Sequence, residues 1–513
     1  MASDSRTSKS IKNSSVALIV NVISLILNFF SRKIFLDYLG VDILGLNTTA
    51  MNILQFLNLA ELGIGGAIAF TLYKPLLEGR ETDVAEIIKL QGTIYKRIGL
   101  FVLMGGIIVM GFFPLIFSKI QISIFYAYSS FSAFLFSALL GYFFNYRQIL
   151  LSADQKEYVI QYSYRCVMII KVFLQMIAMI ILPYPYISWL VLEISFAVIS
   201  SIILSERVNK HFPYIRKIKV ADFKTLKNKY GDIIIKIKQI FFHKIAGFIL
   251  LQTSPLIIYA IIDLKVVTLY GNYLLIVNGL SVLTGAIFNG MNAGVGNLIA
   301  EGDSLRVQNV FFELFSVRSI IALILSFSLF TASTWFIKLW IGPQFVLSPL
   351  TVIIISIILY INVSRTTVDS FLWGYGLYKD IWAPLIEATL NLSFSIFLGL
   401  RFGLNGILTG TMLSLIIVVL GWKPYFLFRN GIKGSLTEYW KEFFKVVGIG
   451  LCGAIFVYLL EVLIIDLSTA SFLMSSLRII IFSSLVIVFL MILHDKGIIF
   501  FYHRIKAVIK KRI

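Results

Sequence analysis

Charge is scarce in this chain. Only 14% of its 513 residues are Asp, Glu, Lys or Arg, and 58% are hydrophobic. Soluble domains carry roughly 25% charged residues. That balance excludes a soluble globular protein and predicts an all-α polytopic membrane protein. Acids are scarcer than bases: 26 Asp and Glu stand against 45 Lys and Arg, a net charge of +19. The two cysteines, Cys166 and Cys452, lie in apolar runs with no CxxC and no Cys/His cluster nearby, so neither a disulfide framework nor a metal site is expected. They read as small hydrophobes. No GxxxxGK[ST], HExxH, GxSxG or Gly-rich dinucleotide loop occurs, which argues against an ATPase, a zinc or serine hydrolase and a dehydrogenase. The Gly-rich "ELGIGGA" and "GMNAGVG" lie inside helical stretches and read as sites of close packing.

What is present is a series of long apolar runs. A span needs ~20 apolar residues. Fourteen candidates lie near 15–36, 43–70, 98–117, 122–146, 158–181, 184–205, 240–262, 266–292, 311–336, 349–373, 380–400, 403–426, 443–465 and 473–494. The polar start "MASDSRTSKSIKNSS" runs into an apolar stretch too long for a signal peptide, so the first helix is expected to stay. With the amino terminus inside, 33 of the 45 Lys and Arg fall on the inner side and 4 on the outer: Lys119, Lys265, Lys338 and Arg401. That bias predicts both termini in the cytoplasm. All outer loops are short, which argues against a polymerase or ligase with external catalytic carboxylates.

The two halves repeat. "ILGLNTTAMNILQFLNLAELGIGGAIAFTLYKPLLEGR" is similar to "TLYGNYLLIVNGLSVLTGAIFNGMNAGVGNLIAEGD", and "KRIGLFVLMGG" to "SVRSIIALILS". Spans 1–6 thus match spans 7–12, with an axis along the membrane normal and a substrate path between the halves. The predicted organisation is an N-lobe over 1–206, a basic cytoplasmic linker over 207–239, a C-lobe over 240–428, and a further helix pair with a basic tail over 429–513. The linker's core, "DFKTLKNKYGDIIIKIKQ", reads either as a solvated loop or as an amphipathic segment drawn to anionic headgroups.

Polar residues inside the spans supply the candidate site. Projected at 100° per residue, Asn21, Asn28 and Arg32 fall within about 40° of one another. Lys33 points away and sits four residues before Asp37, a self-contained i,i+4 pair. Thr48, Asn52 and Gln55 form a stripe in span 2; Asn278, Ser281, Gly285, Asn289 and Asn292 form one in span 8. Both read as a polar lumen, or as hydrogen bonds between helices. Eight Lys or Arg lie within spans. Arg365 has Asp369 at i+4, and Lys244 lies near the inner boundary. Arg32, Arg165, Lys171 and Arg318 have no obvious partner in their own helix. Glu61, Glu193 and Glu387 are the acidic counterparts. Basic groups around a cavity suit a phosphate or diphosphate, with Arg offering bidentate geometry.

"YLGVDILGLN", "NLAELGIGGAI", "FFHKIAGFIL", "YGNYLLIVNGL" and "GNLIAEGD", in this order, resemble the polysaccharide flippases of O-antigen and capsule type. These belong to the multidrug/oligosaccharidyl-lipid/polysaccharide (MOP) exporter superfamily, and the resemblance spans essentially the whole chain. It implies a secondary transporter, not an enzyme. Its cargo is a polyprenyl-pyrophosphate-linked oligosaccharide moved between leaflets of the bacterial inner membrane, as in lipopolysaccharide or capsule synthesis. It implies two six-helix lobes rocking around a cationic cavity, with Arg32 at a position that is often a cavity Arg. Spans 13–14 match a helix pair that forms a lipid-tail groove in the lipid II branch. The family often has Thr-Asp-Asn where this chain has Thr253-Ser254-Pro255, so the acid of a coupling-ion site is missing there. Coupling to a proton or sodium gradient is expected without a bound cofactor, with Glu61, Asp369 and Glu387 as coupling or paired acids. Partners are the lipid-linked sugar, anionic lipids and polysaccharide synthesis enzymes, with no nucleic acid and a monomeric chain. The alternatives are a cation-coupled drug exporter of the same superfamily and a lipid II-type flippase.

Overall fold

The computed structural model describes residues 6–61, 63–118, 120–218, 221–231, 233, 237, 253–288, 295–296, 298–299, 301–377, 382–463 and 472–493. Lys244, Asn289, residues 290–294 of the "GMNAGVG" segment, most of the 240–262 window and the basic tail lie outside them. All regular structure among the described residues is helical. Among the described residues, ten helices are long and apolar enough to cross a membrane, or eleven if Phe125–Phe143 and Asn145–Ala153, bent by 57°, count as one span. The chain is an all-α polytopic membrane protein.

Two of these helices are broken inside by a glycine. Ser15–Leu57 runs 43 residues. At 1.5 Å per residue a straight helix of that size would be about twice the ~30 Å hydrocarbon core. It breaks at Gly40, whose φ of 85° and ψ of 172° an L side chain rarely adopts. The Trp382–Ser414 helix breaks in the same way at Gly403 (φ 57°, ψ −136°). After that break the two arms lie backbone to backbone. A Cβ on Gly406 would stand 2.0 Å from the Leu398 carbonyl oxygen, and the Ser395 hydroxyl donates to the Ile407 carbonyl at 2.9 Å.

The chain forms two compact units, Met1–Thr268 and Leu269–Ile513. In the first, Phe35, Ile43, Met179, Tyr186 and Trp189 make one buried cluster. The Tyr186 hydroxyl is satisfied there by Ser129 and Ser130, at 2.6 and 2.8 Å. The start of the Leu264–Phe288 helix packs against residues 41–45. Thr268 donates through its hydroxyl to the Val41 carbonyl at 2.9 Å, and a Cβ on Gly45 would lie 2.3 Å from the Leu264 carbonyl oxygen. Gly45→Ala must therefore push backbone aside, at an expected cost of about 1–3 kcal/mol. Thermal unfolding of the purified protein in detergent should show the loss, and an unchanged melting temperature would refute this close packing.

Part of the basic linker is docked on protein. Phe223–Lys229 is a short helix with Leu226 fully buried, and Arg97 lies 4.4 Å from the Phe223 ring centroid. The Lys229 ammonium meets Glu86 at 2.5 Å and Asp83 at 3.1 Å, and the Tyr230 hydroxyl donates to Glu86 at 2.8 Å. The Glu86 hydrogen bond, helped by Asp83, holds the Lys229 ammonium above its ordinary value. Lys224 and Lys227 remain exposed.

In the second unit the Ser304–Trp340 helix is the central strut. Asp303 caps it by accepting from the Arg306 amide at 3.0 Å. The Leu436–Leu463 and Phe472–Ile492 helices pack on it through Val446, Val457, Phe482 and Val486, against Leu323 and Phe327. Phe327 and Phe482 stack with centroids 3.9 Å apart.

Candidate functional site: buried charges in each helical unit

In the second unit, four charged side chains from three helical stretches form a buried network. Arg365 joins the Pro349–Ser364 and Thr366–Gly374 helices, so Asp369 lies one turn along, on the same face. Arg365 Nε meets Asp369 Oδ2 at 3.0 Å, and Lys423 Nζ meets Asp369 Oδ1 at 2.8 Å. Glu387 lies 3.6 Å from Arg365 Nη1, with its side chain 2% exposed. Two cations and two carboxylates neutralise one another, as burial in an apolar bundle requires.

Arg318 adds a fifth charge. It projects from the Ser304–Trp340 helix and is 1% exposed. Its Nη1 donates to the Ser370 hydroxyl at 3.1 Å, and its guanidinium lies 4.8 Å from the Phe288 ring centroid. Its Nε has no hydrogen-bond partner among the described residues. Arg318 and Asp369 line one cavity of about 200 Å³ with Thr284, Asn362 and Trp373. A guanidinium keeps its charge even when buried, so the group of five carries one positive charge in excess.

The first unit distributes its charges differently. Lys171 is paired: its Nζ meets both Glu193 oxygens, at 2.8 and 2.9 Å, and Gln175 donates to the same carboxylate at 3.0 Å. Arg32 is partly buried and its Nη2 donates to the Thr268 carbonyl at 3.2 Å. Lys33 and Asp37 form their i,i+4 pair at 3.4 Å, half-exposed. Arg165, exposed at the end of the π-helical turn Gln161–Arg165, lines a second cavity, of about 570 Å³. Glu61 lines it too and accepts from the Tyr95 hydroxyl at 3.0 Å.

The polar stripes divide. Asn21, Asn28 and Asn278 are exposed and Gln55 is half-buried. Asn52 is buried and donates to the Thr48 carbonyl in its own helix at 2.7 Å. Of the residues singled out in the sequence, Arg318 and Asp369 line one cavity and Arg165 and Glu61 the other, while Lys171 pairs with Glu193 and Arg365 with Asp369 and Glu387. Arg32 and Lys171 line neither cavity. Three contributors escaped the sequence reading: Lys423, Tyr95 and the amide of Gln91. Lys423 ends an apolar run and meets an acid far away in sequence. A lone cation there, opposite two acids on other spans, was the available signal.

The chain matches no known family profile and no curated protein sequence. Solved structures do match. One is described as the lipid II flippase MurJ in an inward closed conformation, with TM-score 0.60 and 19% identity over 94% of this chain and 99% of that one. Another is an inward-facing multidrug resistance MATE family transporter of the MOP superfamily, with TM-score 0.60 and 11% identity over 80% and 95% of the two chains. A third is the Vibrio cholerae MATE transporter VcmN in the bent form, with TM-score 0.51 and 13% identity over 83% and 98%. These neighbours are transporters and flippases. The chain therefore has the helical fold shared by the MurJ flippase and the MATE transporters.

Proposed function

We propose that this protein is a secondary flippase. It moves a polyprenyl-pyrophosphate-linked oligosaccharide from the inner to the outer leaflet of a bacterial cytoplasmic membrane by alternating access. The observation that carries the reading is Arg318. Among the described residues, Asp369 and Glu387 already hold Arg365 and Lys423 and the Arg318 Nε has no hydrogen-bond partner, an arrangement that suits an anion from outside the protein. A diphosphate supplies one with bidentate geometry. A drug exporter for cations would need a spare carboxylate, whereas Asp369 in this cavity is doubly engaged. The likeness to a structure named as a lipid II flippase supports the lipid-linked class of cargo. Arg32 is a further cationic group on the proposed path. Coupling to a proton or sodium gradient belongs to the same proposal. Glu61 is a candidate acid for it, lining the cavity of the first unit and accepting from the Tyr95 hydroxyl.

The test is leaflet-resolved transport of defined polyprenyl-diphosphate oligosaccharides in liposomes, run beside cationic dyes. Movement of the lipid-linked sugar is expected; dye export without it overturns the reading. In the same assay Arg32→Ala should lower transport about tenfold, the scale of one charge-assisted hydrogen bond, and Arg32→Lys should lower it less. Normal rates for both variants remove Arg32 from the mechanism.

A further inference from the structure

The cavity of the first unit is built unlike a phosphate site. Its walls come from the Asn58–Glu61 turn, the Glu81–Gly111 and Phe125–Phe143 helices, the bent continuation Asn145–Ala153 and the π-helical turn at Arg165. Local π-helical turns of this kind recur at functional sites. Two carboxylates, Glu61 and Glu157, face a single guanidinium, that of Arg165, so an anionic group is disfavoured.

Its buried amides point to a donor. Gln91 is 1% exposed and Asn145 4%. Gln91 Nε2 donates to the Tyr146 carbonyl at 3.1 Å, and Asn145 Nδ2 to the Ser201 hydroxyl at 2.9 Å. The Gln91 bond, made to a carbonyl that can only accept, fixes which end of its amide is which. The Gln91 carbonyl oxygen, the second polar end of the Asn145 amide and the Ser137 hydroxyl have no partner among the described residues. Buried acceptors without donors are costly, so the site is suited to a ligand rich in hydroxyl or amide hydrogens. Tyr142 and Tyr146 lie 6.0 and 6.1 Å from Tyr95, centroid to centroid, and form an aromatic wall. Tyrosine rings beside amide and carboxylate oxygens are what a sugar ring meets well, its C–H face on the aromatics and its hydroxyls on the acceptors. The volume of about 570 Å³ lies within the range of small-molecule pockets and leaves room for one or two sugar rings. A bare monovalent cation could not touch these walls at once.

We infer that this cavity is a binding subsite for the hydroxyl-rich sugar part of the cargo, separate from the groups that hold its diphosphate. The inference rests on the flippase reading. The cavity is lined by Tyr146, Gln148 and Glu157, the chain neighbours of Arg147 and Lys156. On the positive-inside pattern these basic residues mark the cytoplasmic end, so the sugar is held on the side where transport begins.

The experiment uses the full chain in nanodiscs. The probes are methyl glycosides of hexoses, N-acetylhexosamines and uronic acids, free of lipid and phosphate, beside sodium chloride and inorganic pyrophosphate. Calorimetry and ligand-induced thermal shift are the readouts. At least one glycoside should bind saturably, and Gln91→Leu with Asn145→Leu should weaken it at least tenfold while pyrophosphate binding stays within twofold. Should those variants misfold, Tyr95→Phe reports on the same wall. No binding of any glycoside, binding untouched by the variants, or binding of sodium alone overturns the inference. Sugar binding without transport of lipid-linked sugar would sink the flippase reading and leave the subsite standing.

Discussion

Arg318→Ala is expected to reduce lipid-linked sugar transport by one to two orders of magnitude, and Arg318→Lys to recover only part of it. The size follows from losing a charge-assisted contact of about 1.5–3 kcal/mol in a desolvated place. Lys restores the charge without the second donor edge. The protein itself should survive the change. Asp369 keeps Arg365 and Lys423, and the Ser370 hydroxyl still donates to the Thr366 carbonyl at 2.6 Å. The measurement is initial transport rate in liposomes at matched protein content, with thermal unfolding alongside. Full activity in Arg318→Ala would exclude a diphosphate at this cavity.

The second large effect is on stability. Asp369→Asn removes the anion shared by Arg365 and Lys423. Arg365 keeps Glu387 at 3.6 Å, but Lys423, only 13% exposed, loses its partner. Stranding a buried charge in this way typically costs about 3–5 kcal/mol. The double variant Asp369→Asn with Lys423→Met removes both charges and should regain most of the loss. A double-mutant cycle by thermal or denaturant unfolding measures the coupling. Additive losses, with no rescue, would show that Lys423 and Asp369 do not act as a pair.

The sequence read best where partners share one helix. Lys33–Asp37 and Arg365–Asp369 follow from i,i+4 spacing alone. Lys171–Glu193 joins two consecutive helices, so the acid was identifiable but its match was not. Lys423 reaches Asp369 from another span, and no periodicity connects two helices that far apart in the chain. Asn52 shows the opposite limit. Its spacing placed it on a stripe, yet the side chain bonds its own backbone and is buried. Helical projection gives a face; what the face meets depends on packing. The break at Gly40 was equally hard to see, because glycine also serves close helix contact.

The Phe327–Phe482 stack also bears on how the protein is assembled. The Ser304–Trp340 helix leaves the ribosome well before Phe472–Ile492, and the face that carries Phe327 waits for a neighbour not yet made. In the meantime lipid acyl chains can cover it, because hydrocarbon is as good a solvent for Phe as another helix. The late helices must then displace lipid largely through shape fit, with Gly450 and Gly453 giving Leu323 and Phe482 their room and the Ser475 hydroxyl donating to the Thr331 carbonyl at 3.4 Å. Insertion and packing of this unit are thus separate events in time, and nascent chains stopped between them would hold a stable strut on which the final pair has still to close.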